Sequence, residues 1–285
     1  MNNFIIAGCQ RSGTTLLKLI LDEHSQIDVI DEDVVGFHGE KIADFNRKDH
    51  VFGFKLPMVT NNLDLLKSKN LKLVHIIRDP RDVIKSMLEL PIEYNLNYDK
   101  DQQYNGFKLD INKIKTFLKL KLRKNFSLPW AIHPSCIDPE FRLLQKNQVE
   151  ISQTEYTFIN QHPLNRQKRE AISILSKIWN NKNEVINMYK ANHLDHIVIR
   201  YEDLLQSPQE TISNILNFLG LEETNNLLDY YKKNQGVSIG NTKNDAPIKQ
   251  DNTHKWEGYY STGELAAINS NCKITAEKFK YRFNQ

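Results

Sequence analysis

Eight residues near the N-terminus, Gly8-Cys-Gln-Arg-Ser-Gly13-Thr14-Thr15, have the types and spacing of an anion-binding loop. Glycines let successive backbone N–H groups turn inward as a nest for oxyanions. Thr14 and Thr15 add hydroxyl donors, and Arg11 adds a planar fork of N–H groups suited to phosphate or sulfate oxygens. The frame is the G-x-x-x-x-G of nucleoside-triphosphate loops. It departs at Thr14, where such loops carry a lysine that reaches the β- and γ-phosphates. The chemistry on offer is therefore anion capture without the cation that a γ-phosphate requires. Arg78 and Ser86 form a second candidate anion contact, eight positions apart.

These residues need particular elements to hold them. Phe4–Gly8 is an apolar run ending in glycine, and Thr14–Glu23 has helical apolar spacing, so the octet sits between strand and helix. That helix start adds partial positive charge and free donors. Val51–Phe54, Leu71–Ile77 and His196–Ile199 read as further parallel strands, and an apolar run without polar alternation such as Phe4–Gly8 suits a strand buried on both faces of a parallel sheet. Asp79-Pro80 is a helix start, as Asp cap and Pro at the first helical position, ahead of Val83, Ile84 and Met87. Ser207-Pro-Gln-Glu210 reads as a capping box, and Gly220 as the end of its helix. Helical spacing also runs from Arg169 to Asn192, and Gly236–Lys255 reads as a loop. Strands alternating with helices predict an α/β fold: one domain over residues 1–285, with a central parallel sheet flanked by helices. Residues 90–168 break the rhythm and read as a partly helical insertion. In an open α/β sheet ligands bind outside the carboxyl ends of the strands, so Arg11 and Arg78 would face one edge. Two anion sites at one edge suggest a nucleotide with phosphates at both ends.

Bulk properties narrow the classes. Net charge is only +3, too weak for a nucleic-acid binder. The 40% apolar and 26% charged residues are those of an ordinary globular protein. Three scattered cysteines give neither a disulfide framework nor metal-ligand spacing, so we expect no metal and a reducing, cytoplasmic setting. No stretch approaches the ~20 apolar residues that span a bilayer, and no leader is expected.

Cys9-Gln-Arg-Ser-Gly-Thr-Thr-Leu-Leu17 resembles the 5′-phosphosulfate loop of sulfotransferases that use 3′-phosphoadenosine-5′-phosphosulfate (PAPS). Ile76-Ile-Arg-Asp-Pro-Arg-Asp-Val-Ile-Lys-Ser86 resembles their 3′-phosphate motif, at the family's spacing. The resemblance covers Phe4–Leu88 and Trp179–Trp256. It implies a P-loop-like core, PAPS as donor co-substrate, and an acceptor bearing a hydroxyl, whether peptide, glycan or small molecule. It also implies roles. Arg11, Ser12, Gly13, Thr14 and Thr15 would hold the 5′-phosphosulfate; Arg78 and Ser86 would hold the 3′-phosphate. Tyr201 would lie near adenine, and Lys255 would reach the phosphates from a C-terminal loop.

Among branches, Leu21–Asp33 resembles the segment after the first helix in tyrosylprotein sulfotransferases and related bacterial enzymes, with Glu32 at the catalytic glutamate. The small-molecule cytosolic branch has a histidine two residues after a lysine; here Lys55 is followed by Leu56 and Pro57. Leu90 stands where the tyrosylprotein branch has a further arginine. Glu32 is thus the expected base, with Asp31 and Asp33 as rivals, Lys55 and Arg11 on the leaving oxygen, Ser238 as a helper, and residues 90–168 around the acceptor. A kinase with an altered P-loop is the alternative, and the lysine missing at Thr14 counts against it. Ile111–Phe126, a basic amphipathic stretch, reads as a core-packed helix rather than a membrane surface, and His24 as a helix-terminal residue rather than a base.

Overall fold

The computed structural model describes residues 3–36, 41–45, 50–57, 60–61, 66–67, 71–89, 143–155, 168–224, 226–233, 238–239, 242–243 and 246–283. Its centre is a sheet of β1 (Phe4–Gly8), β2 (Ile27–Asp31), β3 (Val51–Lys55), β4 (Lys72–Ile77) and β5 (His196–Arg200). The strands run parallel in the order β2-β3-β1-β4-β5. The described helices are α1 (Thr14–Leu21), α2 (Glu32–Val35), α3 (Pro80–Leu88), α4 (Lys168–Ala191), α5 (Tyr201–Gln206), α6 (Pro208–Leu219), α7 (Tyr230–Lys233) and α8 (Thr262–Lys278).

The central strands β3, β1 and β4 are buried on both faces. Side chains alternate across a strand, and β1 divides accordingly. Phe4 and Ile6 join Leu17 and Ile20 of α1 and Ile212 and Ile215 of α6. Ile5 and Ala7 join Phe54, Leu73 and the Val185, Ile186 and Tyr189 face of α4. A third cluster ties Ile77 to Val83 and Ile84 of α3, Ile172 and Trp179 of α4, and Ile268 and Cys272 of α8. Each fully buried Leu, Ile or Phe is worth roughly 1.5–3 kcal/mol. These two layers therefore outweigh surface ion pairs, each worth at most about 1 kcal/mol.

Local signals met mixed outcomes. Asp79 caps α3 as expected, its carboxylate accepting from the Arg81 N–H at 2.9 Å with Pro80 following. Gly220 ends α6 in the left-handed region, φ 79°. The Ser207–Glu210 capping box does not form: Ser207 has ψ 62° and its side chain makes no cap bond. An N-cap hydroxyl reaches the first turn from extended backbone, and Ser207 is not extended. The box that forms is Ser261–Glu264, at the start of α8. The reading had no strand at Ile27–Asp31 and no helix at Thr262–Lys278. Within Gly236–Lys255, residues 238–239 and 242–243 pair as a short antiparallel hairpin. Of the predicted insertion, residues 90–142 and 156–167 lie outside the described residues, including Ile111–Phe126. Among the described residues, no helix is long and apolar enough to cross a membrane.

His75 lies in the middle of β4, fully buried, with Nε2–H donating to Asn183 Oδ1 at 3.0 Å. Burial lowers its pKa to about 4, against the opposing pull of the Asn183 bond. The folded ring therefore stays neutral where the unfolded one takes a proton. Its contribution is intact above pH 6.5 and is lost as pH falls from 6.5 towards 4. Urea denaturation across that window should show wild type losing about 3 kcal/mol more than His75→Leu, which cannot titrate. Equal slopes would contradict a neutral buried His75.

Candidate functional site

All five strands are parallel, so Gly8, Asp31, Lys55, Ile77 and Arg200 end at one edge of the sheet. The loop Cys9–Gly13 leaves β1 there and enters α1. Two glycines are required by geometry. Gly8 has φ 136°, and a Cβ would stand 2.3 Å from the Ile76 carbonyl oxygen. Gly13 has φ 101°, and a Cβ would stand 2.4 Å from the Tyr201 ring. Thr60 pins the loop's root, accepting from the Gly8 N–H at 3.0 Å and donating to Pro57 O at 2.9 Å. Arg11 itself is left-handed, φ 66°.

The two anion motifs meet. Arg11 Nε donates to Ser86 Oγ at 3.0 Å. Arg78 Nη1 donates to the Arg11 carbonyl at 3.2 Å, and Nη2 to the Asn252 carbonyl at 3.0 Å. The Arg78 guanidinium stacks on the Tyr201 ring, 4.3 Å from its centre. Asn252 Nδ2 in turn donates to the Tyr201 hydroxyl at 2.5 Å. Behind them, Trp179 of α4 donates its ring N–H to the Arg78 carbonyl at 3.0 Å. Glu202 accepts the Asp79 N–H at 3.1 Å. The turn from β4 into α3 is thus held from two sides.

These groups line a cavity of about 600 Å³ together with Gly13, Thr14, Thr15 and Lys255. Sequence reasoning missed several of its walls. Lys85 and Lys249 add cations; Leu205, Tyr230 and Ile248 form an apolar end. Five cationic side chains (Arg11, Arg78, Lys85, Lys249 and Lys255) face two carboxylates, Asp82 and Glu89. Both carboxylates are engaged. Glu89 pairs with Lys85 at 2.5 Å, and Asp82 accepts the His254 and Trp256 N–H groups at 2.9 and 3.0 Å. Burial pushes the Asp82 carboxyl up from its ordinary range, against the pull of Arg78. The cavity thus has spare positive charge and an apolar end, which fits a polyanion carrying a flat ring. Lys85 had a sequence signal, its place beside Ser86. Lys249, Asn252 and Tyr230 had none, because they arrive from more than a hundred residues away.

Not every predicted residue lines this cavity. Ser12 is fully buried within the loop, its Oγ without a hydrogen-bond partner among the described residues. Glu32 and Lys55 stand at the neighbouring strand ends. Lys55 Nζ pairs with Asp31 Oδ1 at 2.7 Å, across the β2–β3 register. Lys18 Nζ lies 3.5 Å from Asp31 Oδ2 and donates to the Val29 carbonyl at 2.6 Å. Asp31 is therefore committed to two lysines, while Glu32 opens α2 beside it. Asp33 and Ser238 have side chains outside the described residues.

Comparisons with known proteins agree with this fold. No curated protein sequence matches the chain. The sulfotransferase domain from the curacin biosynthetic pathway superposes with TM-score 0.55 at 14% identity, covering 100% of this chain and 99% of that one. The sulfotransferase domain of the Synechococcus PCC 7002 olefin synthase gives 0.55 at 15% identity, covering 100% and 98%. A mouse sulfotransferase complexed with PAP gives 0.51 at 11% identity, covering 96% and 84%. At such identities the likeness speaks for the fold alone. A family model of the sulfotransferase domain matches residues 1–265. That span contains the anion loop, the Arg78–Ser86 helix, the Tyr201 edge and the segment carrying Asn252 and Lys255, and the chain belongs to the sulfotransferase family.

Proposed function

We propose that the chain moves a sulfonyl group from PAPS to an acceptor hydroxyl by in-line transfer, with Glu32 as base. The observation that carries this reading is the bond from Arg11 to Ser86, which joins two oxyanion sites inside one cavity with an apolar end. The residues fit the donor. The Arg11–Thr15 loop would take the 5′-phosphosulfate. Arg78 and Ser86 would take the 3′-phosphate, with Lys85 one residue away supplying charge in place of the arginine that Leu90 replaces. Tyr201, Tyr230 and Ile248 would take the adenine, and Lys255 would close over the phosphates. When bound, PAPS supplies the sulfonyl group and a phosphate leaving group.

The chain's own residues do the rest. A hydroxyl is a poor nucleophile until a base takes its proton, and in this reading Glu32, at the start of α2 beside the sheet edge, takes it. Lys55, held by Asp31, would put positive charge where the leaving oxygen gains negative charge, with Arg11 beside it. Charge placed there lowers the transition state more than the ground state. The acceptor is a peptide tyrosine, glycan or metabolite alcohol, shaped by residues 90–168. Glu32 favours a mechanism like that of the tyrosylprotein branch. The three scattered cysteines, Cys9, Cys136 and Cys272, suit a cytoplasmic setting.

Calorimetry tests the donor half. 3′-Phosphoadenosine-5′-phosphate (PAP) is expected to bind at least about 100-fold tighter than ADP, because charge-assisted bonds to the 3′-phosphate are lost with ADP. Mg²⁺ should make no difference. Preference for ADP with Mg²⁺ dependence would favour the kinase reading. An acceptor screen with labelled PAPS, read by mass spectrometry, tests the transfer half.

A further inference from the structure

A second cavity, of about 560 Å³, lies beside the donor cavity, between the start of α3, the β5–α5 junction, α8 and the C-terminal residues 280–283. Asp82 borders both cavities. The segment 252–256 divides its residues between them: Asn252 and Lys255 line the first, while Thr253, His254 and Trp256 line the second.

Its lining residues carry two spare N–H donors. Trp256 Nε1 and Arg200 Nε are buried atoms with no hydrogen-bond partner among the described residues. A buried donor left unsatisfied is costly, and a water, ion or ligand can satisfy it. Lys280 and Arg282 also line the cavity, are exposed, and have no ion-pair partner among the described residues. Three of its four acids, by contrast, are engaged. Asp79 takes Arg81 Nε and Nη2 at 2.9 and 2.6 Å. Glu202 takes the Asp79 N–H and the Tyr281 hydroxyl at 2.6 Å. Asp82 takes two backbone N–H groups from the dividing segment, and Glu257 faces His254 at 3.6 Å. Asn269 Oδ1 is also unpartnered; its amide turns over to present N–H at no covalent cost. Unused N–H donors and unpaired cations call for an acceptor-rich anion, and the volume suits a small molecule.

We propose that this cavity is a second binding site, for a small molecule bearing a carboxylate, phosphate or sulfate group, and that it is coupled to the donor cavity through the shared segment 252–256. The coupling, though not the site, rests on the donor reading. Trp256 and Lys255 are neighbours on one backbone tied twice to Asp82, so an anion bound against Trp256 shifts the wall that presents Lys255 and Asn252. Such linkage is reciprocal: the donor nucleotide changes the second ligand's affinity by the same factor.

The test titrates the full chain calorimetrically with inorganic phosphate, citrate, benzoate and phenyl phosphate, alone and with PAP at saturation. Trp256→Phe removes the buried N–H while keeping a ring over Arg81, which now stacks 3.9 Å from the Trp256 ring centre. Arg282→Met is a surface change that keeps the test alive if the first variant folds poorly. At least one probe is expected to bind saturably with PAP present and to weaken about tenfold in either folded variant. That probe should also change PAP affinity by about threefold or more. Binding that PAP abolishes, binding that neither substitution weakens, or no saturable binding by any probe overturns the site and leaves a water-filled cavity. Unchanged PAP affinity overturns the coupling. If PAP itself does not bind, the donor reading falls, and the probe titrations of wild type and variants still decide the second site.

Discussion

Glu32→Gln is expected to cut turnover by about 10²- to 10⁴-fold, the usual worth of a positioned general base. PAP affinity should hold, because Glu32 stands at the end of β2 and outside the cavity lined by Arg11, Arg78 and Ser86. Gln keeps the size and polarity of the side chain and removes only its ability to accept the proton. The pH–rate profile of any residual activity should lose its basic-form limb. Asp31→Asn is the necessary companion. Asp31 already binds Lys55 at 2.7 Å and faces Lys18 at 3.5 Å, so its loss should disturb the lysines rather than remove the base. If Asp31→Asn abolishes the pH limb and Glu32→Gln retains it, the base is Asp31.

Lys55→Met is expected to slow single-turnover transfer by about 10²- to 10³-fold, the loss typical of one preorganised charge at a developing anion. Lys55 is well placed for that role: only 12% of its side chain is exposed, and Asp31 fixes its direction. A charge shielded from water acts more strongly on a nearby anion than a solvated one. The variant also strands part of the Asp31 charge, so some loss could come from stability alone. The double variant Asp31→Asn/Lys55→Met separates the two. It should recover thermal stability without recovering rate. A single-turnover rate unchanged in Lys55→Met would remove Lys55 from the chemistry.

Much of the sheet was legible because strands buried on both faces carry their signal locally. Phe4–Gly8 is an unbroken apolar run that leads through a short loop to α1, and Lys72–Ile77 is a largely apolar run followed closely by the Asp79-Pro80 helix start, so neither needs a neighbour to be recognised. The strand Ile27–Asp31 was missed for the opposite reason. At the sheet edge it alternates apolar and acidic residues, and only Ile27 and Val29 are buried. Helix Thr262–Lys278 was missed because it buries mainly small residues, Cys272, Thr275 and Ala276, with Ile268. The site divides in the same way. Arg11, Arg78 and Ser86 belong to contiguous motifs, and the structure brings them within hydrogen-bond reach. Asn252, Lys249 and Tyr230 enter the cavity only through tertiary packing, and no local pattern announces them.

The bond from Arg78 to the Asn252 carbonyl spans 174 positions of chain. It has a bearing on biosynthesis. The ribosome delivers the N-terminal part of a domain first. The anion loop and β4 therefore emerge long before the segment that completes their cavity. A nascent chain released only through β5 has its sheet strands in hand, yet lacks the Asn252 carbonyl that fixes Arg78 and the amide that orients Tyr201. Completion of the cavity accordingly waits for the segment that carries Tyr230, Lys249, Asn252 and Lys255, long after the loop and β4 have emerged.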